Sequence, residues 1–462
     1  MKKLLAVILC ICLSTGLMSS AINAQAIGDM DGDGMVTLTD CVQILQHVAK
    51  LIQFDAEQIA LADIDSNGNV DLVDAVQALR YCASLDPLPE TDPDPKPDPD
   101  PDPDPDPDPS DKSAYMQHLE EKYADYKEVE YGLDITKKEN LVSICYSVWF
   151  DHVIKDVYPP VIIQDVLDGM DFWAGDGKFH YWAQPKLGFY KSSDEKVIRT
   201  HMTQLAEAGI DFIILDFTNV APEWQNTELW TSMVSKSTTA LLDTCLKMRE
   251  EGLKTPNVVM WCKSTNSFNW SVARAIYTEF YRTDKYQDLW VYWEGKPLML
   301  GTETIAGASD NVTVRKMWGL QVVDTMDNLE WSFIHKPNIP ISDGEGFYEQ
   351  ISVSPAMQQT YMSVTSTATG RNHGITFYEQ WQTAFEYRPK IVTISWWNEW
   401  AAQRLKDRNG EYQFTDNYTT EYSRDIEPMA GGHGDQYYVW MKQYIEAYKG
   451  LEECPRLVEE GY

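Results

Sequence analysis

From Asp92 to Pro109 the chain alternates Asp with Pro, interrupted once by Lys96. Proline at every second position fixes φ and removes backbone donors, and the like charges repel, so the stretch cannot join a core. It reads as an extended polyproline-II spacer of roughly 55 Å at ~3.1 Å per residue. The spacer divides the 462 residues into parts that must each bury a core of their own. The expected layout is a leader at 1–26, a small all-α module at 27–88, the linker at 89–113 and a large domain at 114–462.

Charge follows the same division. Lys and Arg total 38 against 71 Asp and Glu, a net −33, and an excess of that sign repels polyanions, so nucleic acid is excluded as a partner. The linker carries −7, from eight Asp and one Lys. Residues 25–91 carry −10, from twelve acids and two bases. Met1 to Ala26 joins Lys2-Lys3 to an apolar run from Leu4 to Leu13 and a small-residue end, Ala24-Gln25-Ala26. That is the pattern of a secretory signal, and it implies a secreted, extracellular product. No run reaches the ~18 apolar residues of a membrane span. Past the leader, Cys41, Cys82, Cys145, Cys245, Cys262 and Cys454 lack metal-ligand spacing, and they read either as buried small residues or as a disulfide framework.

The acidity of the small module has a pattern. Residues 29–40 read DMDGDGMVTLTD, and 34 residues on, 63–74 read DIDSNGNVDLVD. Each run places oxygen side chains at loop positions 1, 3, 5 and 12, with glycine at 6 (Gly34, Gly68) for a sharp turn. A hard cation taking 6–8 oxygens needs this spacing, with a backbone carbonyl at position 7. The expected ligands are Asp29, Asp31, Asp33, Met35, Thr37 and Asp40 in the first loop, and Asp63, Asp65, Asn67, Asn69, Asp71 and Asp74 in the second. The repeat continues into CVQILQHV (41–48) and AVQALRYC (75–82), both apolar at helical spacing.

Two such loops in register, each feeding an equivalent helix and each with Asp at position 12, resemble a type I dockerin with paired EF-hand-like loops. The resemblance implies two bound Ca²⁺ ions and a cohesin domain of a scaffold protein as partner. It also implies that positions 10 and 11, here Leu38-Thr39 and Leu72-Val73, help to choose the cohesin.

In the large domain, strand-like runs (141–149, 210–215, 257–262, 298–301, 391–396) alternate with helical stretches (near 194–208, 230–251, 271–282, 436–449). This alternation argues an α/β fold with a mainly parallel sheet, and at this length a (β/α)8 TIM-like barrel. Barrels place their chemistry at the C-terminal ends of strands. That selects Asp216 after FIIL, Asn398-Glu399 after IVTISWW, Lys263 after the third run and Glu303 after LMLG.

Cleaving a glycosidic bond needs one carboxyl as acid, a second as nucleophile or base, and aromatic platforms for sugar rings. Glu399, flanked by Trp396, Trp397 and Trp400, is the candidate acid, because apolar surroundings raise a carboxyl's proton affinity. Asp216 is the candidate partner, with Glu303 in reserve; Asp216 could instead cap the turn after its strand. Substrate contacts are expected from Asn398, Trp397, Trp400, Lys263, His180, Trp182, Asp425 and His433. His180 could equally be a buried core histidine, and His433 could brace its loop.

GFYKSSDEKVIRTHMTQLAEAGIDFIILDFTN, WEGKPLMLG and ISWWNEW resemble the barrel glycoside hydrolases of family 99 and family 71. The resemblance implies a barrel acting on glycans, with Glu399 matching the first glutamate of the family 99 motif. That motif has a second glutamate three residues on, where this chain has Ala402. The paired-glutamate mechanism therefore does not carry over. The expected function is a scaffold-tethered glycoside hydrolase acting on polysaccharide. The alternative is a non-catalytic, scaffold-attached component that binds carbohydrate.

Overall fold

The structure is a computed structural model that describes residues 27–30, 36–64, 70, 72–82, 113–265, 267–319, 330–334, 338–358, 362–363, 368–407 and 409–459. The expected leader, the Asp-Pro run and the expected ligands Asp31, Asp33, Met35, Asp65, Asn67, Asn69 and Asp71 lie outside the described residues. The chain divides into two compact units, Met1–Asp108 and Pro109–Tyr462.

In the first unit the described elements are helices Leu38–Val48, Ala56–Ala62 and Leu72–Cys82. Thr37 caps the first of them. Its hydroxyl accepts from Thr39 N, and Asp40 reaches back to Thr37 N at 2.7 Å, so two otherwise orphaned donors are satisfied at the helix start. Cys41, Ile44, Ala75 and Ala78 form the centre of a small core with Met30, Phe54 and Ile64.

The second unit is a mixed α/β fold built on a parallel-rich sheet. Among the described residues, eight strands of the ring follow one another in chain order and run parallel: β1 Leu141–Tyr146, β2 Phe212–Phe217, β3 Asn257–Cys262, β4 Lys296–Gly301, β5 Thr313–Gly319, β6 Glu330–Ser332, β7 Tyr348–Val353 and β8 Ile391–Ile394. Backbone ladders run unbroken from β1 to β6, and β8 pairs with both β7 and β1. Side chains bridge the remaining gap between β6 and β7. Gln350 exchanges two hydrogen bonds with the Ser332 backbone, at 3.1 and 2.8 Å, and the Ser332 hydroxyl meets that of Ser352 at 2.9 Å. The result is a barrel-like ring.

Strand parity sorts the core into two layers. Leu141, Cys145, Phe212, Ile214, Val259, Trp261, Leu298 and Leu300 fill the inside of the ring. Val142, Ile144, Ile213, Leu215, Val258 and Met260 face outward under the helices. Asp216 follows Phe212 and Ile214 on the inward face, so burial of its strand aims its carboxylate into the mouth of the ring.

The outer layer is less regular than the alternation suggests. Helices Glu195–Glu207, Lys236–Glu250, Val272–Ile276, Ile375–Tyr387 and Gln436–Lys449 cover part of the ring. Among the described residues, no α-helix lies between β4 and Ile375. Asp194 caps the first of these helices through Lys196 N at 2.9 Å. Gly209, at φ +82, turns that helix into β2; a Cβ there would sit 3.0 Å from Ile445. Trp-Glu-Gly-Lys-Pro is the tight turn of an antiparallel hairpin, Val291–Trp293 against β4, with Glu294 and Gly295 both at positive φ.

Candidate active site

A cavity of about 750 Å³ opens at the C-terminal ends of the strands. Nearly every strand contributes: Trp149 after β1, Asp216 from β2 and Thr218 after it, Trp261 from β3 and Lys263 and Ser264 after it, Thr302 and Glu303 after β4, Trp318 from β5, Phe333 after β6, and Trp396 and Glu399 after β8. Trp261 lies at the centre of an aromatic floor, its ring 4.8 Å from Phe333 and 6.0 Å from both Trp318 and Trp396. A floor of this kind suits the apolar face of a sugar ring, and the polar rim suits its hydroxyls.

Three carboxyl groups and one guanidinium occupy the polar side. Arg424, fully buried, donates through Nη2 to Glu399 Oε2 at 2.7 Å and to Asp416 Oδ1 at 3.1 Å. Its Nη1 holds Gln358 Oε1 and the Asp416 carbonyl, each at 2.9 Å, and its plane lies 4.6 Å from the Trp396 ring. Asn417 Nδ2 donates to the Glu399 carbonyl at 2.5 Å. Asp216 accepts from Thr218 N at 2.7 Å.

Burial controls the proton affinities. It pushes Asp216 up to about 6, with the Asp416 charge adding to the rise. It drives Glu399 well above the usual carboxylate range, again with Asp416 adding and Arg424 opposing. Asp416 moves upward too. Arg424 is shared between Glu399 and Asp416, and burial raises the proton affinity of both as it does that of Asp216. Glu399, held well above the usual carboxylate range, and Asp216, raised to about 6, thus line the same cavity.

The structure brings together Glu399, Asp216, Lys263 and Glu303 of the residues expected from sequence, and places the others behind the cavity. Asn398 is sealed between strands, accepting from Ser147 N at 2.8 Å and donating to Ser147 O at 3.1 Å. Of the tryptophans beside Glu399, only Trp396 faces the cavity. Trp397 packs outward against His201, and Trp400 stacks on Trp182 at 4.5 Å. Asp425 accepts from Trp182 Nε1 at 2.8 Å and from the Glu399 backbone N–H, so both act as braces for the loop that presents Glu399. His180 accepts from Ala174 N at 3.1 Å, and burial pulls its pKa down. His433 stacks on Trp182, with its pKa pushed down to about 3 by burial and by Arg371. These residues reach any ligand only through the parts they hold in place.

Sequence reasoning missed Asp416 and Arg424. Strand Ala401–Lys406 pairs antiparallel with Tyr412–Thr415, and the hairpin turns back over the cavity. Ala401, Gln403 and Leu405 line the cavity, whereas Ala402 pairs with His180 on the alternate parity. The position three after Glu399 therefore faces away from Glu399's cavity. Asp416 follows the second strand at φ +64, a left-handed conformation that Asp tolerates better than most residues. No strand-end pattern in FTDNY marks it, because its partner Arg424 is supplied by tertiary folding.

In the N-terminal unit the two loop-closing aspartates repeat each other's geometry. Asp40 Oδ1 accepts from Met30 N and Asp74 Oδ1 from Ile64 N, both at 2.7 Å, and both carboxylates are buried. Asp29 is buried beside them. Burying this many acids in one short stretch fits a hard divalent cation, whose charge offsets the cost of removing them from water.

Residues 27–81 match the family described as dockerin type I domain. No curated protein matches the chain. Among solved structures, the GH99 endo-alpha-mannosidase from Bacteroides thetaiotaomicron is 15% identical, covering 68% of this chain and 99% of its own, with a TM-score of 0.43. A structure titled glycoside hydrolase-like protein is 12% identical over 67% of this chain and 94% of its own, with a TM-score of 0.34. The complex of the third cohesin ScaC with the ScaB dockerin from Acetivibrio cellulolyticus is 32% identical over 14% of this chain and 89% of that one, with a TM-score of 0.13.

Proposed function

We propose that the chain is a secreted glycoside hydrolase that cleaves glycosidic bonds in polysaccharide while tethered to a cohesin by its calcium-loaded N-terminal module. The observation that carries this reading is that Asp216, Glu399 and Asp416 line an aromatic-floored cavity, with the buried Arg424 pairing to Glu399 and Asp416. We read the ring as a (β/α)8 barrel whose outer helices, among the described residues, are thinned after β4 and β6.

Glu399 holds the proton. Its Oε2 accepts from Arg424, which leaves Oε1 to protonate the leaving oxygen of the scissile bond. Asp416, paired to the same guanidinium, carries the balancing negative charge. Asp216, ionised above about pH 6, acts from its own wall of the cavity as nucleophile or base. Trp261 and Trp396 stack the sugar, while Lys263 and Thr218 lie within reach of its hydroxyls.

The chemistry of the module's donors supports calcium, one ion per loop. Asp29, Asp40, Asp63 and Asp74 would hold the two ions together with the ligands expected from the repeat, and calcium there supplies charge compensation that fixes the helices. The match to dockerin type I supports a cohesin as partner and an extracellular location. Among the described residues, no helix is long and apolar enough to cross a membrane.

A second reading rests on Arg424 and Asn417, which both engage Glu399 Oε2 and could hold it for binding alone. Incubating the full chain with soluble plant and microbial polysaccharides and measuring new reducing ends separates the two. The enzyme reading expects release from at least one of them. Binding without release from any would leave the second reading.

A further inference from the structure

Helices Leu38–Val48 and Leu72–Cys82 are copies within the repeat, so Cys41 corresponds to Ala75 and Val48 to Cys82. Such a repeat creates two equivalent contacts, each joining the start of one helix to the end of the other. In one, Ala75 and Val48 both belong to the apolar core. In the other, Cys41 and Cys82 bring their sulfurs to 3.7 Å, and Cys82 Sγ also donates to Val36 O at 3.5 Å. Among the described residues no other two cysteine sulfurs touch. Where the equivalent positions of the repeat hold an alanine and a valine within the apolar core, this end holds two thiols.

We propose that Cys41 and Cys82 are an oxidisable pair whose disulfide clasps the N-terminal module. The oxidant is a small-molecule disulfide. One cysteine thiolate displaces a thiol from it, and the second cysteine displaces the other. The two cysteines thereby form one S–S bond, while the small disulfide takes up two electrons and two protons and leaves as two thiols. A disulfide sets its sulfurs about 2 Å apart, against the 3.7 Å between them here.

The position gives the bond a purpose. Cys41 directly follows Asp40, the last ligand of the first loop, and Cys82 ends the last helix, so the link encloses the whole second loop and pins the exit of the first. A module whose helices depend on bound cation would then keep them together after the cation leaves, because the cross-link restricts the unfolded chain.

The test uses the full calcium-loaded chain, equilibrated in oxidised or in reduced glutathione, alkylated and mapped by mass. A linked peptide containing Cys41 and Cys82 is expected after oxidation. After EDTA, amide exchange in 38–48 and 72–82 should be at least about tenfold slower in the oxidised chain than in the reduced one. Cys82→Val, which copies the other contact, should fold with calcium and lose both effects. Free Cys41 and Cys82 after oxidation, a glutathione adduct on Cys82 alone, or equal exchange in the two states would overturn the proposal. The linked peptide is read without reference to calcium, so failure of the calcium assignment and failure of the clasp remain distinguishable.

Discussion

Arg424 Nη2 lies 2.7 Å from Glu399 Oε2, with both side chains shut away from solvent. The same nitrogen reaches Asp416. A guanidinium so placed cannot be removed without leaving buried acids uncompensated, and it cannot be shortened without losing the fork that addresses both acids at once.

The first prediction concerns that residue. Arg424→Met should destabilise the large unit by about 3–5 kcal/mol, the usual cost of breaking a buried pair from one side. Arg424→Lys should retain more stability but lose activity by at least about a hundredfold, because one ammonium cannot hold Glu399 and Asp416 together. Urea midpoints and turnover on the same preparations check both.

Asp216 gives a stability test of opposite sign. Its folded pKa is about 6 against an ordinary value of 3.8. Folding therefore favours the protonated form: the contribution is fully present below about pH 4 and is lost as pH rises through about 6. Asp216→Asn keeps an acceptor for Thr218 N and escapes this loss. It should match the parent at pH 4 and exceed it by about 2–3 kcal/mol at pH 8, at 1.36 kcal/mol per pKa unit. Thermal melts across that range decide it, and equal midpoints at pH 8 would refute the raised pKa.

The same groups shape the rate. Activity should rise as pH passes about 6 and Asp216 ionises. It should fall again at higher pH, where Glu399, held well above the usual carboxylate range by burial, gives up its proton. In Asp216→Asn the rising limb should vanish along with nearly all turnover. A pH profile of kcat/KM reports both limbs.

Calcium is tested on the closing aspartates. Asp40→Ala and Asp74→Ala each remove a carboxylate that holds the start of its own loop. Each should abolish cohesin binding, as EDTA should in the parent, with the large unit's melting unchanged. Calorimetric titration of the chain into a type I cohesin reads this, and chelator-insensitive binding would refute the metal.

Much of this was legible in the sequence. Within 141–301, the strands β1 to β4 and the helices Glu195–Glu207, Lys236–Glu250 and Val272–Ile276 were read to within a few residues because β1 to β4 carry apolar runs buried on both faces, whereas the short helices Phe150–Asp156 and Ile163–Leu167 and the strands Phe179–Tyr181 and Val291–Trp293 were not. Strands β5 to β7 went unread because polar residues interrupt their buried runs: Met317 and Trp331 join the inner core, but Gln350 and Ser352 close the ring by hydrogen bonds, and Arg315 pairs with Glu349 at 2.7 Å. These residues look like surface until the ring surrounds them. The strand-end rule found Asp216, Lys263 and Glu399. It could not separate Trp396 from Trp397 and Trp400, since which face each takes depends on the chain's course past β8. Nor could it find Asp416, which a hairpin carries back over the mouth of the ring.

The central claim is that Glu399 acts as the proton donor in glycosidic cleavage. The most direct measurement is the release of reducing ends from the polysaccharide that the parent chain degrades fastest, comparing the parent with Glu399→Gln at the pH of maximal rate. The account predicts a loss of at least about a thousandfold in the variant, with folding and cohesin binding retained. Comparable release by parent and variant would contradict it.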